Sequence, residues 1–313
     1  MKFLDGYLAE NQHNTWSSLR NPVITVSPEE LIRVRIPDSS TLQITRRSHA
    51  EDLAHVDHSK LDTAVGPIFV EGASPGDVLE VSIHSIEAEA WGWTTVSSDF
   101  GLLKNRFRER LILWDIRNGS ATTTGDFLHG ISIPVSPFLG IVGLAPERGE
   151  FGMIPPQIFG GNMDNRLLGP GSRVYLPVKV EGGLLSLADP HAAQGDGEVC
   201  GTAIETPAEA VISIKVIKGT EIGGPRAYSI DRGLGEVIVT MGIDHDLHMA
   251  TVTAVESMMA ELAEYGFTDE EGYVLCSIAG SLRISEVVDE PNFVVSMLIP
   301  KDLARQGKFR IRK

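Results

Sequence analysis

Residues 131–146, ISIPVSPFLGIVGLAP, are largely apolar and yet carry prolines at 134, 137 and 146. Proline inside a helix removes a backbone donor and clashes with the carbonyl four residues back, so this run cannot be a helix interior. Much of the chain before residue 244 reads the same way. Val23–Val26, Leu31–Ile36 and Leu42–Ile44 alternate apolar with polar residues between Pro22, Pro28 and Pro37. In 66–86, Leu79, Val81 and Ile83 face one way and Glu80, Ser82 and His84 the other, after a Ser74-Pro75-Gly76-Asp77 turn. Further strands are expected at 173–180, 183–187, 197–205, 210–217 and 292–300, and a loop-rich region at 87–160. With 32 glycines and 17 prolines in 313 residues, the chain is built from many short strands joined by tight turns.

The pattern changes at Asp244. Met249, Val252, Val255, Met258, Met259 and Leu262 recur at helical spacing until Gly266, and Thr268-x-x-Glu271 is a capping box opening a second helix with Val274, Leu275, Ile278 and Leu282 on its apolar stripe. The expected fold is mainly β (α+β): a β-sandwich or barrel-like core with a two-helix segment at 244–287 and a basic tail at 308–313. The changes of character suggest three units, 1–130, 131–243 and 244–313.

A net charge of −15 argues against nucleic acid or an anionic membrane surface as partner. Cys200 and Cys276 are too few for a disulfide framework in a chain this long, which suits a reducing compartment. The opening MKFLDGYLAENQ lacks the apolar core of a signal peptide, and no run of about 20 apolar residues suggests a membrane span, so a cytoplasmic protein is expected.

The charge is unevenly placed. Between Lys179 and Lys215 there is no Lys or Arg, while Glu181, Asp189, Asp196, Glu198, Glu205, Glu209 and His191 fall in that span. Carboxylates crowded without a cation either hold protons or share a metal ion. Asp189, His191, Asp196 and Glu198 are suitable ligand types: a carboxylate–imidazole set suits zinc, manganese or iron, an oxygen-only subset calcium or magnesium. A solvated acidic loop with Asp-Pro and Gly-Asp-Gly turns is the plainer reading, and the spacing alone decides between neither. If 198–204 is a strand, Glu198, Cys200 and Thr202 share a face, and Glu198 could activate the thiol, although a free cysteine is more often a small buried residue. The clusters at Asp244–His248 and at His55, Asp57, His58 and Asp62 read more simply as a helix cap and an exposed turn. Trp91 and Trp93 read as core residues.

The run Asp189-Pro-His-Ala-Ala-Gln-Gly-Asp-Gly-Glu-Val-Cys-Gly201 with Glu205 closely resembles the acetamidase/formamidase family. So do Gly66–Asp77, Pro137–Gly140 with Gly143–Pro146, Gly160–Asp164 and Pro291–Val295. The resemblance spans roughly residues 60–300 and is weaker over the first 60. It implies a mostly β homo-oligomer that hydrolyses a small amide to a carboxylate and ammonia, with a divalent cation. Within that frame Asp189, His191 and Asp196 are expected to hold the cation, zinc first and calcium or another divalent ion otherwise. Glu198 is the expected general base and then acid. Asn162 and Asp164 would orient the amide, Asp164 also counting among the catalytic residues, and Gln194 would touch substrate. A thiol-dependent amidase using Cys200 and a non-catalytic β protein holding a structural cation are the alternatives.

Overall fold

The computed structural model describes residues 1–310, and residues 311–313 of the basic tail lie outside it. Among the described residues the strands form two large sheets. The first has nine strands, in the order Lys2–Asp5, Leu31–Ile36, Ala208–Ile217, Val78–Ala88, Arg173–Pro177, Arg226–Asp231, Gly235–Asp244, Phe293–Pro300 and Ser281–Glu286. It takes strands from all three of the stretches 1–130, 131–243 and 244–313, so hydrogen-bonded sheet runs across those changes in composition. The second sheet runs from Ser132–Pro134 through Ser120–Thr123, Arg110–Arg117, Trp91–Val96, Ile204–Glu205, Leu185–Ala193 and Phe138–Gly143 to Gly160–Asn162. Ala64–Val70 also pairs with Leu185–Ala193 and carries Gln12–His13 and Ile24–Val26.

The sheets pack face to face, as the alternation requires. Ile32, Val34, Val81, Ile83, Ile212 and Val239 of the first meet Val65, Ile68, Val142, Leu185 and Leu187 of the second in one core. The fold is mainly β and sandwich-like.

Helix α1 (Leu247–Ala263) and helix α2 (Asp269–Ala279) follow the nine-stranded sheet's seventh strand. Ala250, Ala254, Met258 and Leu262 of α1 pack on Ile238, Val295, Met297 and Ile299, whose alternate neighbours Val237, Val239, Val294 and Leu298 face the sandwich core. These strands are covered on both faces and therefore read as near-continuous apolar runs. Gly242 permits the contact, because a Cβ there would overlap the Ala250 carbonyl. The expected capping box is formed: Thr268 Oγ1 accepts from Glu271 N–H, and the Glu271 carboxylate accepts from Thr268 N–H at 3.0 Å. Thr268→Ala is expected to lower stability by about 1 kcal/mol, read by urea unfolding.

Several expectations are corrected. Region 87–160 is half of the second sheet rather than loop. Helix α2 stops at Gly280, where a Cβ would meet the Cys276 carbonyl and Met297, so Leu282 sits on the edge strand Ser281–Glu286. A third helix, α3 (Lys301–Arg310), follows the last strand. Of 197–205 only Ile204–Glu205 is strand, so Glu198, Cys200 and Thr202 share no strand face.

Candidate active site

The site forms where the 185–193 strand leaves the sandwich core. Along Leu185–Ala193 every residue is buried, and its last turns carry Asp189 and His191. Its neighbours bring the rest. Phe138–Gly143 pairs on one side, with Phe138 opposite His191, and Ile204–Glu205 on the other, with Glu205 opposite His191. Asp164 follows the strand Gly160–Asn162, and Glu198 lies in the loop 194–203. Phe138 meets the His191 ring edge to face at 5.0 Å, fixing its plane.

The strand bends into this arrangement at a cost. Asp62, Asp164, Asp189 and Glu198 all have left-handed backbones, with φ of 51°, 38°, 55° and 47°. That region is disfavoured for residues with a Cβ, by about 1 kcal/mol or more each, and such strain gathers at functional sites. Gly140 gives the carboxylates room, since a Cβ there would overlap oxygens of both Asp164 and Asp189.

His191 is the centre. Its Nε2 lies 2.9 Å from Asp189 Oδ2, 3.0 Å from Glu205 Oε2 and 4.0 Å from Glu198 Oε1. Its Nδ1 is 2.8 Å from Gln194 Oε1, and Gln194 Nε2 donates to the Asp164 carbonyl at 2.7 Å. An amide oxygen can only accept, so Nδ1 carries a hydrogen and Nε2 is the nitrogen turned to the carboxylates, able to hold a proton there or to give its lone pair to a cation. Glu205 is held by donors on both oxygens: Ala203 N–H at 2.7 Å and Ser39 Oγ at 2.9 Å. The turn bearing Ser39 is in turn fixed by Asp38, whose Oδ1 accepts from Ser40 N–H and the Trp93 indole.

A second layer of acids lies behind. Asn162 Nδ2 donates to Asp289 Oδ2 at 2.8 Å. Glu286 Oε1 accepts from the backbone N–H groups of Val288 and Asp289. Burial, reinforced by the Asp189 charge, pushes Asp164 up to about 7, and burial pushes Asp189 up to about 6 against the pull of His191. Glu286 is pushed up to about 8 by burial. Glu198 and Asp289 are raised well above the usual carboxylate range by burial and then by Asp164. Asp62 is raised by burial and by Asp189 and Glu205. Burial alone would depress His191, but Asp189 and Glu205 outweigh it and raise it well above its ordinary value.

Two groups of donor atoms could hold a metal ion: Asp189, His191 and Glu205, and Asp164, His191 and Glu198, each within 4.8 Å of one another. The donor chemistry fits. His191 Nε2, Asp189 Oδ1 and both oxygens of Asp164 are buried without a hydrogen-bond partner. Lone pairs aimed at one another in a dry interior need a cation or a proton between them.

The structure thus brings together Asp164, Asp189, His191 and Glu198, with Asn162 and Gln194 beside them, and sets Asp196 apart. Asp196 is turned outward and makes a two-pronged ion pair with Arg166, Nε to Oδ1 at 2.5 Å and Nη2 to Oδ2 at 3.3 Å. Gly195 and Gly197 flank it in the loop that turns Asp196 away from the centre. Its ion pair ties the loop of Glu198 to the turn of Asp164. Asp196→Asn is therefore expected to keep the bound cation and lower kcat by about tenfold, measured by metal analysis and ammonia release. Gln194 has both amide ends occupied, its oxygen by His191 Nδ1 and its nitrogen by the Asp164 carbonyl. Cys200 Sγ donates to the Thr202 carbonyl at 3.2 Å, and among the described residues no base hydrogen-bonds it. His245 pairs with Asp244 on the surface, and Asp246 is the α1 cap.

Sequence reasoning missed that Glu205 meets His191, although the cation-free span contained it. It also missed Asp62, which the rest of its exposed cluster disguised. Asp289 and Glu286 carried no local signal, being 100 and 97 residues along the chain from Asp189.

Buried acids grouped about an imidazole on a β scaffold are the equipment of an enzyme that activates water. The model of the acetamidase/formamidase family matches residues 6–151 and 150–306, and the chain belongs to that family. It is 28% identical to a formamidase from Methylophilus methylotrophus, covering 93% of this chain and 89% of that protein. It is 27% identical to an acetamidase from Mycolicibacterium smegmatis, over 84% of each. The crystal structure of a predicted acetamidase/formamidase from the thermophile Thermoanaerobacter tengcongensis superposes with a TM-score of 0.88 at 32% identity, covering 98% of both chains.

Proposed function

We propose that this chain hydrolyses small aliphatic amides, of the formamide and acetamide type, to a carboxylate and ammonia. The relatives' activities support the reaction. The observation that carries it is the meeting of His191 Nε2 with the carboxylates of Asp189 and Glu205, beside a Glu198 held above its usual pKa. Asp189, His191 and Glu205 would hold a divalent cation. A mixed imidazole and carboxylate set favours zinc over calcium. When bound, such a cation polarises the amide carbonyl and makes a neighbouring water more acidic.

The chain's own residues supply the proton traffic. Glu198 takes a proton from the attacking water and returns it to the leaving nitrogen, which must be protonated to depart as ammonia. A raised carboxyl pKa suits a group that both accepts and donates near neutral pH. Asn162 Oδ1, buried and without a partner, can accept from the substrate amide N–H, and Asp164 lies next to it with both oxygens free to do the same. Gln194 keeps the Nε2 lone pair of His191 turned toward the cation site.

Cytoplasmic location and self-association belong to the same proposal. Both cysteines are free thiols. Tyr273, Ile278, Leu282 and Ile284 leave an apolar face open beside the edge strand, which suits a second copy. No helix among the described residues is long and apolar enough to cross a membrane.

The test is ammonia release from formamide and acetamide with metal content on the same sample. Silence toward both of these and toward larger amides would sink the reading. Cys200→Ala should retain activity within about twofold; a collapse would restore the thiol mechanism.

A further inference from the structure

We propose that the cavity beside Glu198 is an acyl pocket, and that the amides this chain turns over best carry an apolar acyl group of ring size. This rests on the amidase reading and names the substrate class of the same site.

The cavity has a volume of about 430 Å³ and reaches the acid centre at Glu198 and Gln194. Pockets of this size enclose most of a drug-sized ligand, far more than a formyl or acetyl group would fill. Its wall includes Trp114, Ile133, Ala193 and Ile204.

Ser136 and Arg232 lie exposed at the cavity and Glu198 belongs to the acid centre; the other polar side chains of the wall are already paired. The Trp114 indole N–H donates to Thr94 Oγ1 at 2.9 Å, and that hydroxyl donates to the Ala203 carbonyl at 2.5 Å. The Thr202 hydroxyl donates to the Thr95 carbonyl at 2.9 Å. Gln194 is occupied by His191 and Asp164, and Arg166 by Asp196. A wall paired in this way offers a ligand apolar surface and the exclusion of water, not hydrogen bonds. Glu198 is the acid of the centre that opens onto it. An amide group placed at Glu198 therefore directs its acyl substituent along Trp114, Ile133 and Ile204. Arg232 is exposed at the rim, on the solvent side.

The experiment measures kcat/KM for acetamide, cyclohexanecarboxamide, benzamide and succinamate on the metal-loaded protein. In hydrophobic pockets a single added methylene is worth about tenfold or more in kcat/KM. The ring amides should exceed acetamide by at least about tenfold. Ser136→Trp, which places a ring in the cavity from an exposed position, should lower the ratio of benzamide to acetamide by a similar factor. Ile133→Trp is the second variant should the first fail to fold. Acetamide turned over better than the ring amides overturns the acyl pocket and leaves the amidase reading standing. Succinamate preferred over the ring amides overturns the apolar assignment and points to Arg232. No ammonia from any of them or from formamide overturns the amidase reading and this inference with it.

Discussion

Glu198→Gln is expected to lower kcat for acetamide by about 10²–10⁴-fold while leaving the fold and the bound cation in place. Glutamine keeps the length and shape of the side chain, so the left-handed turn at residue 198 is no more strained than before. What it removes is the ability to take a proton from water and give it to nitrogen. No near neighbour can substitute at the same position. Asp164 is the closest in kind, but it belongs to the turn after Gly160–Asn162, held by the Gln194 contact to its carbonyl. The variant also separates two arrangements of the centre. If the cation is held by Asp189, His191 and Glu205, metal content is unchanged and the loss falls on kcat. If it is held by Asp164, His191 and Glu198 instead, metal affinity falls with activity, and added metal restores part of it. Near-normal turnover in Glu198→Gln would remove Glu198 from the mechanism altogether.

The acidic span between Lys179 and Lys215 pointed, for a physical reason, to the segment whose Asp189, His191, Glu198 and Glu205 side chains converge in the structure. Carboxylates that face one another across strands cannot tolerate a local lysine or arginine competing for the same oxygens. That logic is local, and so are its limits. It could not tell Asp196 from Glu205, because both sit in the span and only the fold decides which turns inward. Asp196 precedes a glycine and swings out to Arg166, whereas Glu205 lies on a strand opposite His191. Nor could it find Glu286 and Asp289, which arrive from the end of a separate strand and the turn after it, or Gly140, whose importance lies in the side chain it lacks. The strands were legible where one face is wet, as at 78–83. They were lost where both faces are covered or the strand is short and bent, as between 91 and 143. At 197–205 an alternating pattern marked a loop, because Glu198 points inward through backbone geometry and not through strand periodicity.

Removing the divalent cation with a chelator is expected to end ammonia release and to make stability fall as the pH rises. Carboxylates held by a cation or by hydrogen bonds contribute with the opposite sign, so the sign is diagnostic. In the cation-free chain, burial holds Asp164 at about 7 and Asp189 at about 6, against 3.8 for an ordinary aspartate. Below about pH 4 both groups are protonated folded and unfolded, and they contribute no pH dependence. Between that point and about pH 7 the unfolded chain releases protons that the folded chain must retain. Folding is then opposed by up to about 1.4 kcal/mol per pH unit for each such group, and the effect levels off once the folded groups ionise. A bound cation reverses this: it favours the ionised carboxylates in the folded state and adds stability that grows with its concentration. Thermal unfolding at pH 5 and pH 8, with chelator and with added zinc, reads both effects. The chelated sample should melt lower at pH 8 than at pH 5, and zinc should raise the pH 8 value most. Identical melting profiles and undiminished ammonia release in chelator would mean that protons alone hold Asp164, Asp189 and Glu198 together. Glu198 would then have to act on water without a cation beside it.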